Sequence, residues 1–199
     1  KYGEVGNAFA MQLWDLTIEQ NILVVCKTPM ARSITRRTLV GFRDTKVHAE
    51  YYKNLIENIS QNSDLVVNTL RDGKNFWGVN ENKHMTIDAI IGNPPYQVVD
   101  GGGNGAAAIP IYNKFVCTAK DMHPHYISMI MPAKWYGGGR GLDDFRKMML
   151  NETHIDYIKD FPNPKSVFPT ANISGGVCFF RWSKTHNSNI ALFINAFDG

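Results

Sequence analysis

The spacing of apolar residues changes several times along the chain, and each change predicts an element. Between residues 8 and 26, Phe9, Leu13, Leu16 and Leu23 fall roughly on one helical face, so this stretch predicts a helix. "VHAEYYKNLIENIS" (47–60) predicts a second helix, and the short β-branched run "DLVVNTL" (64–70) a strand. After the turn-rich "RDGKNFWGVNENKH", the segment "TIDAIIG" (86–92) reads as a buried strand. "QVVDGGGNGAAAIP" reads as a flexible loop, and "IYNKFVCTAKDM" (111–122) as a helix with Pro110 suited to its first turn. "HYISMIMP" (125–132) is a second buried strand, "WYGGGRG" a glycine loop and "LDDFRKMMLNE" (142–152) a helix. "HIDYIKDF" (154–161) alternates like a strand, and "GGVCFFRW" (175–182) is a further strand beyond the loop "PNPKSVFPTANIS".

From 86 to 161 strands and helices alternate. That order predicts an α/β fold with a parallel sheet and helices on its faces. The last two strands, joined only by a loop, are expected to lie antiparallel at the sheet edge. Ligands of such sheets bind at the carboxyl ends of the strands, where both glycine loops fall.

Composition adds exclusions. No 18-residue apolar run exists, so a membrane-spanning helix is not expected. The opening "KYGEVGNAFAMQLW" carries an acid and polar or small residues, unlike a signal peptide. It also lacks an initiator Met and reads as part of a longer protein. Net charge is only +3, too little to mark a nucleic-acid binder by itself. Lys27 to Lys46, however, contains six basic residues and one acid. Within it Arg32 and Arg36 stand one helical turn apart, with Arg37 beside them. A solvated helix face and a phosphate-tracking patch are both open readings. Cys26, Cys117 and Cys178 form no zinc spacing and read as buried free thiols of a reducing compartment. "HPH" (123–125) has no third ligand nearby, so no metal is expected.

Other motifs carry little. "GNGAAA" (103–108) does not follow a strand directly, as a dinucleotide fingerprint must. "GGGRG" (137–141) has no Gly-Lys-Ser/Thr after it, and no Gly-x-Ser-x-Gly elbow occurs. Asp143 and Asp144 fall at a helix start, where they favour the dipole.

"AIIGNPPYQ" (89–97) is different. Two prolines cannot continue a ladder, so the strand ends in a rigid polar and aromatic tip. Asn93 offers a side-chain carbonyl and Pro94 a backbone carbonyl, both acceptors. Tyr96 offers a flat ring. Together they suit a planar heterocycle bearing an –NH₂ group, such as adenine. Acceptors on both amino hydrogens localise the nitrogen lone pair and aim it at an electrophile. A base must leave its duplex to reach such a site.

"MTIDAIIGNPPYQ" resembles the motif segment of the adenine-N6 DNA methyltransferases of bacterial restriction–modification systems. The segments that follow, through "HIDYIKDFPNPKSVFPTANISGGVCFF", resemble the Eco57I-like branch. The resemblance covers about residues 75 to 182. It implies a Rossmann-like class I methyltransferase sheet, incomplete here. Residues 1–85 would be an N-terminal portion, 86–182 the C-terminal half of the catalytic domain, and 183–199 the start of a connection to a further domain. Asn93 and the Pro94 carbonyl would bind the amino group, Pro95 would hold the turn, Tyr96 would stack on the base and Phe168 would contact its edge. The methyl donor would be S-adenosylmethionine and the partner double-stranded DNA in the bacterial cytoplasm. A target-recognition or nuclease domain would lie elsewhere in the protein. Lys134 and Arg140, with Arg32, Arg36 and Arg37, are candidates for DNA phosphates. The family's Gly-x-Gly donor loop has no counterpart before Gly92, and Glu4 is the one candidate acid for the donor's ribose. Alternatives are an inactive DNA-binding or interaction module, or a methyltransferase acting on a protein glutamine or an RNA base.

Overall fold

Helices and strands alternate through residues 2–79, 85–99 and 108–196, the parts described by the computed structural model. They group into two compact units, Lys1–Met85 and Thr86–Gly199. The loop motif at 103–108 falls almost wholly outside the described residues.

In the first unit α1 (Tyr2–Asn21) leads into strand β1 (Leu23–Cys26), helix α2 (Pro29–Val40) and strand β2 (His48–Tyr51). β1 and β2 pair in parallel, so this is a strand–helix–strand crossover. α2 begins where its sequence signals it should. The Thr28 hydroxyl accepts the Ala31 N–H at 3.0 Å, and Pro29 occupies the first turn. Gly41, at φ +63°, closes the helix. Ile18, Cys26, Val40 and Ala49 form the small core. Two short helices follow, α3 (Leu55–Gln61) and α4 (Ser63–Arg71).

Three expectations change here. The predicted helix at 8–26 ends at Asn21, because "LVVC" is β-branched and pairs as β1. The predicted helix at 47–60 gives its first half to β2. The predicted strand at 64–70 is instead α4. Asn62 caps it by accepting the Leu65 N–H at 3.1 Å, and Val66, Val67 and Leu70 bury one helical face.

In the second unit β3 (Ala89–Gly92), β6 (Tyr126–Pro132), β8 (Val177–Ser183), β7 (Ile155–Phe161) and β9 (Leu192–Asn195) form a sheet in the order β3-β6-β8-β7-β9. β3 pairs parallel to β6, and β9 parallel to β7. β8 runs antiparallel to both β6 and β7 and lies between them. The antiparallel strand is therefore interior, not at the edge. "VCFFRW" has apolar residues for both faces, and an interior strand needs them. Residues 192–195, expected to begin a connection, form β9.

Helices α5 (Tyr112–Asp121) and α6 (Asp143–Leu150) link β3 to β6 and β6 to β7. Both pack on the same face, where Tyr112, Val116, Phe145 and Met149 meet Ile127, Met129, Met131 and Phe180 in one core. Within this unit helices cover one face rather than both. The stretch expected to be a flexible loop instead begins and ends in the short antiparallel strands β4 (Gln97–Val99) and β5 (Ala108–Pro110). β3 is not a buried strand: it is the sheet's edge, and Ile91 is 83% exposed. Cys26 and Cys178 are buried thiols, but Cys117, on the outer side of α5, is exposed.

Candidate functional site

β3 delivers Asn93 to the carboxyl end of the sheet. Pro94 is buried, Pro95 and Tyr96 are half-buried, and the Asn93 side chain is exposed at the tip. The prolines end the ladder, and the Ile111 N–H fixes the exit of the turn by donating to the Tyr96 carbonyl at 3.2 Å. The Tyr96 hydroxyl points inward, without a partner among the described residues. Burial, and then the field of Cys178, pushes its pKa up, so it stays protonated.

These four residues line a cleft of about 950 Å³. Lys134 and Arg140 come to its wall from the segment after β6, and Phe168 from the loop between β7 and β8. That loop is built from local bonds. Asn163 caps a 3₁₀ turn at Pro164–Ser166, and the Phe168 N–H donates to the Pro164 carbonyl at 2.8 Å. The fold thus gathers Asn93 to Tyr96, Lys134, Arg140 and Phe168 from segments 28 to 72 residues apart. Several other lining residues, among them Tyr112, Asn172 and Ser174, were not singled out by the sequence. The small and polar run "TANISGG" was the available signal for the last two.

The remaining basic candidates lie in the first unit. In the first unit Arg32 and Arg36 both pair with Glu50, at 3.0 and 3.1 Å. Arg32 Nε also donates to the Ala49 carbonyl at 3.0 Å. They brace α2 against β2. The Arg37 guanidinium lies 3.9 Å from the Phe42 ring centroid, on the surface. Glu4 lies within α1, and its side chain is outside the described residues. Among the described residues no group of acids, histidines and cysteines could hold a metal, and no helix is long and apolar enough to cross a membrane.

The family model described as the Eco57I restriction-modification methylase matches residues 20–168. The chain belongs to this family. A Mycoplasma pneumoniae protein described as an "uncharacterized adenine-specific methylase" is similar to this chain, at 36% identity over 110 residues. That match covers 54% of this chain and 26% of the relative, so the chain spans about a quarter of the relative's length. Among solved structures, a DrdV–DNA complex superposes with a TM-score of 0.58 at 14% identity, covering 96% of this chain and 23% of that one. The M protein of the type I restriction enzyme EcoKI gives 0.53 at 12% identity, covering 91% and 36%. The methyltransferase subunit of a Streptococcus thermophilus type I system gives 0.54 at 14%, covering 88% and 36%. These likenesses show that this chain shares its fold with those methyltransferase subunits.

The family implies S-adenosylmethionine as methyl donor. The described residues of this chain do not fit that group. Among the described residues the cleft is lined by no carboxylate that could take a ribose diol. Glu50, at the carboxyl end of β2, is already held by two arginines. The chemistry that follows from this chain is that of the acceptor.

Proposed function

We propose that the cleft grips an adenine flipped out of double-stranded DNA and presents its N6 amino group for methylation, in a bacterial cytoplasmic restriction–modification methyltransferase. The observation that carries this reading is the exposed Asn93 side chain on a proline-stiffened strand end, opening into one cleft with Tyr96 and Phe168. The Asn93 side-chain carbonyl and the Pro94 carbonyl accept the two amino hydrogens. That pulls the nitrogen toward a tetrahedral shape and concentrates its lone pair. Neither carbonyl is basic enough to hold a proton, so the amino nitrogen, cationic once the methyl group has bonded, loses its proton to solvent. Tyr96 stacks on the base, a contact worth about 1–3 kcal/mol. Phe168 closes on its edge, and Pro95 keeps the turn rigid. Lys134 and Arg140 contact backbone phosphates. Arg32 and Arg36 serve the fold of the first unit instead.

The test is Asn93→Ala in the full-length protein. Asn93 is an exposed tip residue, so unfolding should be nearly unchanged while adenine methylation of DNA drops by about 10²-fold or more. Methylation that survives the change would rule out this role for Asn93.

A further inference from the structure

Among the described residues two cations and no carboxylate line the cleft, and the backbone holds each cation differently. The stem of Lys134 lies against Gly175, where an added Cβ would stand 3.2 Å from Lys134 Cγ. Arg140 is set in a run of left-handed residues: Gly138 at φ +69°, Gly139 at +76°, Arg140 at +50° and Gly141 at +79°. Glycine adopts this conformation without steric cost, whereas a residue with a Cβ does not. The one residue in the run that carries a side chain is Arg140, which lines the cleft. Strained non-glycine backbone of this kind persists only where neighbours enforce it. The enforcing group here is Asp143. Its Oδ1 accepts the Gly139 N–H at 2.8 Å, and a Cβ on Gly138 would fall 2.6 Å from the same oxygen. The loop is thus closed tightly around one carboxylate oxygen. From the far side Arg146 Nε donates to the Tyr136 carbonyl at 2.7 Å. Asp143 does not line the cleft, and among the described residues Arg140 pairs with no acid.

We propose that Asp143 is a positioning residue which, through Gly139, presets Arg140 to hold the phosphodiester of the nucleotide whose base enters the cleft. The proposal rests on reading the cleft as a base pocket. A flipped base brings its phosphate along, one sugar away. A planar guanidinium matches that anion, and among the described residues no acid in the cleft competes for it. The backbone strain at Arg140 is then carried in advance of binding, leaving less ordering to be done when DNA arrives.

The experiment is a salt titration of DNA binding, with thermal unfolding alongside, on the full-length protein and its Arg140→Gly, Asp143→Ala and Asp143→Asn variants. Arg140→Gly relieves the strained backbone, so its Tm should equal or exceed that of the parent. The slope of log K against log salt should nevertheless shrink by about 0.9, one phosphate contact, for every DNA sequence tried. Asp143→Asn keeps a side-chain oxygen for the Gly139 N–H and should keep the parent slope. Asp143→Ala should lose slope as Arg140→Gly does. A parent slope in Arg140→Gly overturns the proposal. So does an Asp143→Asn variant that loses slope despite a normal Tm. If Asp143→Ala fails to fold, the other two variants still decide. Absence of adenine methylation by the parent would remove the base-pocket reading as well. Methylation that is lost in Asn93→Ala, together with an unchanged slope in Arg140→Gly, removes this proposal alone.

Discussion

Gly176 immediately precedes β8 at φ +75°, and its carbonyl accepts the Ala133 N–H at 3.1 Å, tying the start of β8 to the turn after β6. A Cβ there would stand 2.7 Å from the Phe161 carbonyl oxygen and 3.2 Å from Pro162 Cα. Both obstacles are backbone, so nothing can swing aside. Gly176→Ala should cost about 2–3 kcal/mol, the sum of left-handed strain and a clash with fixed atoms, readable from the urea midpoint. Gly175→Ala also meets left-handed strain at φ +89°, but its obstacle is the flexible Lys134 stem. The two neighbours divide the labour: Gly176 holds the sheet end together, and Gly175 makes room for a cleft cation. The letters "SGG" announce a turn but not which glycine is indispensable, because that depends on a carbonyl 15 residues upstream in the chain.

Between elements, the most telling polar link joins α5 to the strand that follows α6. Lys120 pairs with Glu152, whose other oxygen meets His154 Nδ1 at 2.6 Å. Burial alone would raise the Glu152 pKa, but its hydrogen bonds to Lys120 and His154 outweigh this and hold it at about 2, below its ordinary 4.5. The folded pKa lies below the unfolded one. The link therefore stabilises fully above about pH 4.5 and is lost as pH falls from there toward 2. Glu152→Gln should cost about 1–2 kcal/mol at pH 7, a figure discounted for the solvent that reaches His154. It should also flatten the fall in stability between pH 4.5 and 3, as followed by urea unfolding at each pH.

Elements from 86 onward were largely legible because their apolar periods are clean: α5, β6, α6, β7 and β8 stand within about two residues of expectation. The first unit was harder. Its helices and strands are four to a dozen residues long after α1, so each period has few repeats to show itself. Val66 and Val67 looked like a strand, and only the Asn62 cap argued otherwise. What local pattern could not convey was lateral order. "AIIG" and "VCFF" look equally apolar, yet one is an exposed edge and the other the sheet's interior. The cleft shows the same division. Asn93 and Tyr96 stood out by the chemistry of their motif and Phe168 by the family resemblance, whereas Asp143 looked like an ordinary helix-start acid until its bond to Gly139 was seen.

At the scale of the molecule, the acceptor cleft lies wholly within one unit, and the described residues supply no site for the donor. Calorimetric titration of this 199-residue chain with S-adenosylmethionine should accordingly show no saturable heat up to donor concentrations of about 1 mM, an affinity near 4 kcal/mol. A micromolar isotherm would mean that a donor site exists which the geometry does not disclose.

The mounting of Asn93 has a mechanical side. Among the described residues of its unit, β3 is fastened to the sheet along one margin, by the four residue pairs that join it to β6. A beam held along one side is stiff along its length and compliant across it. Two prolines at its end add rigidity where the chain would otherwise fray. The grip on the base is therefore a cantilever, and small sideways forces on four residues of backbone set the aim of the two carbonyls at its tip.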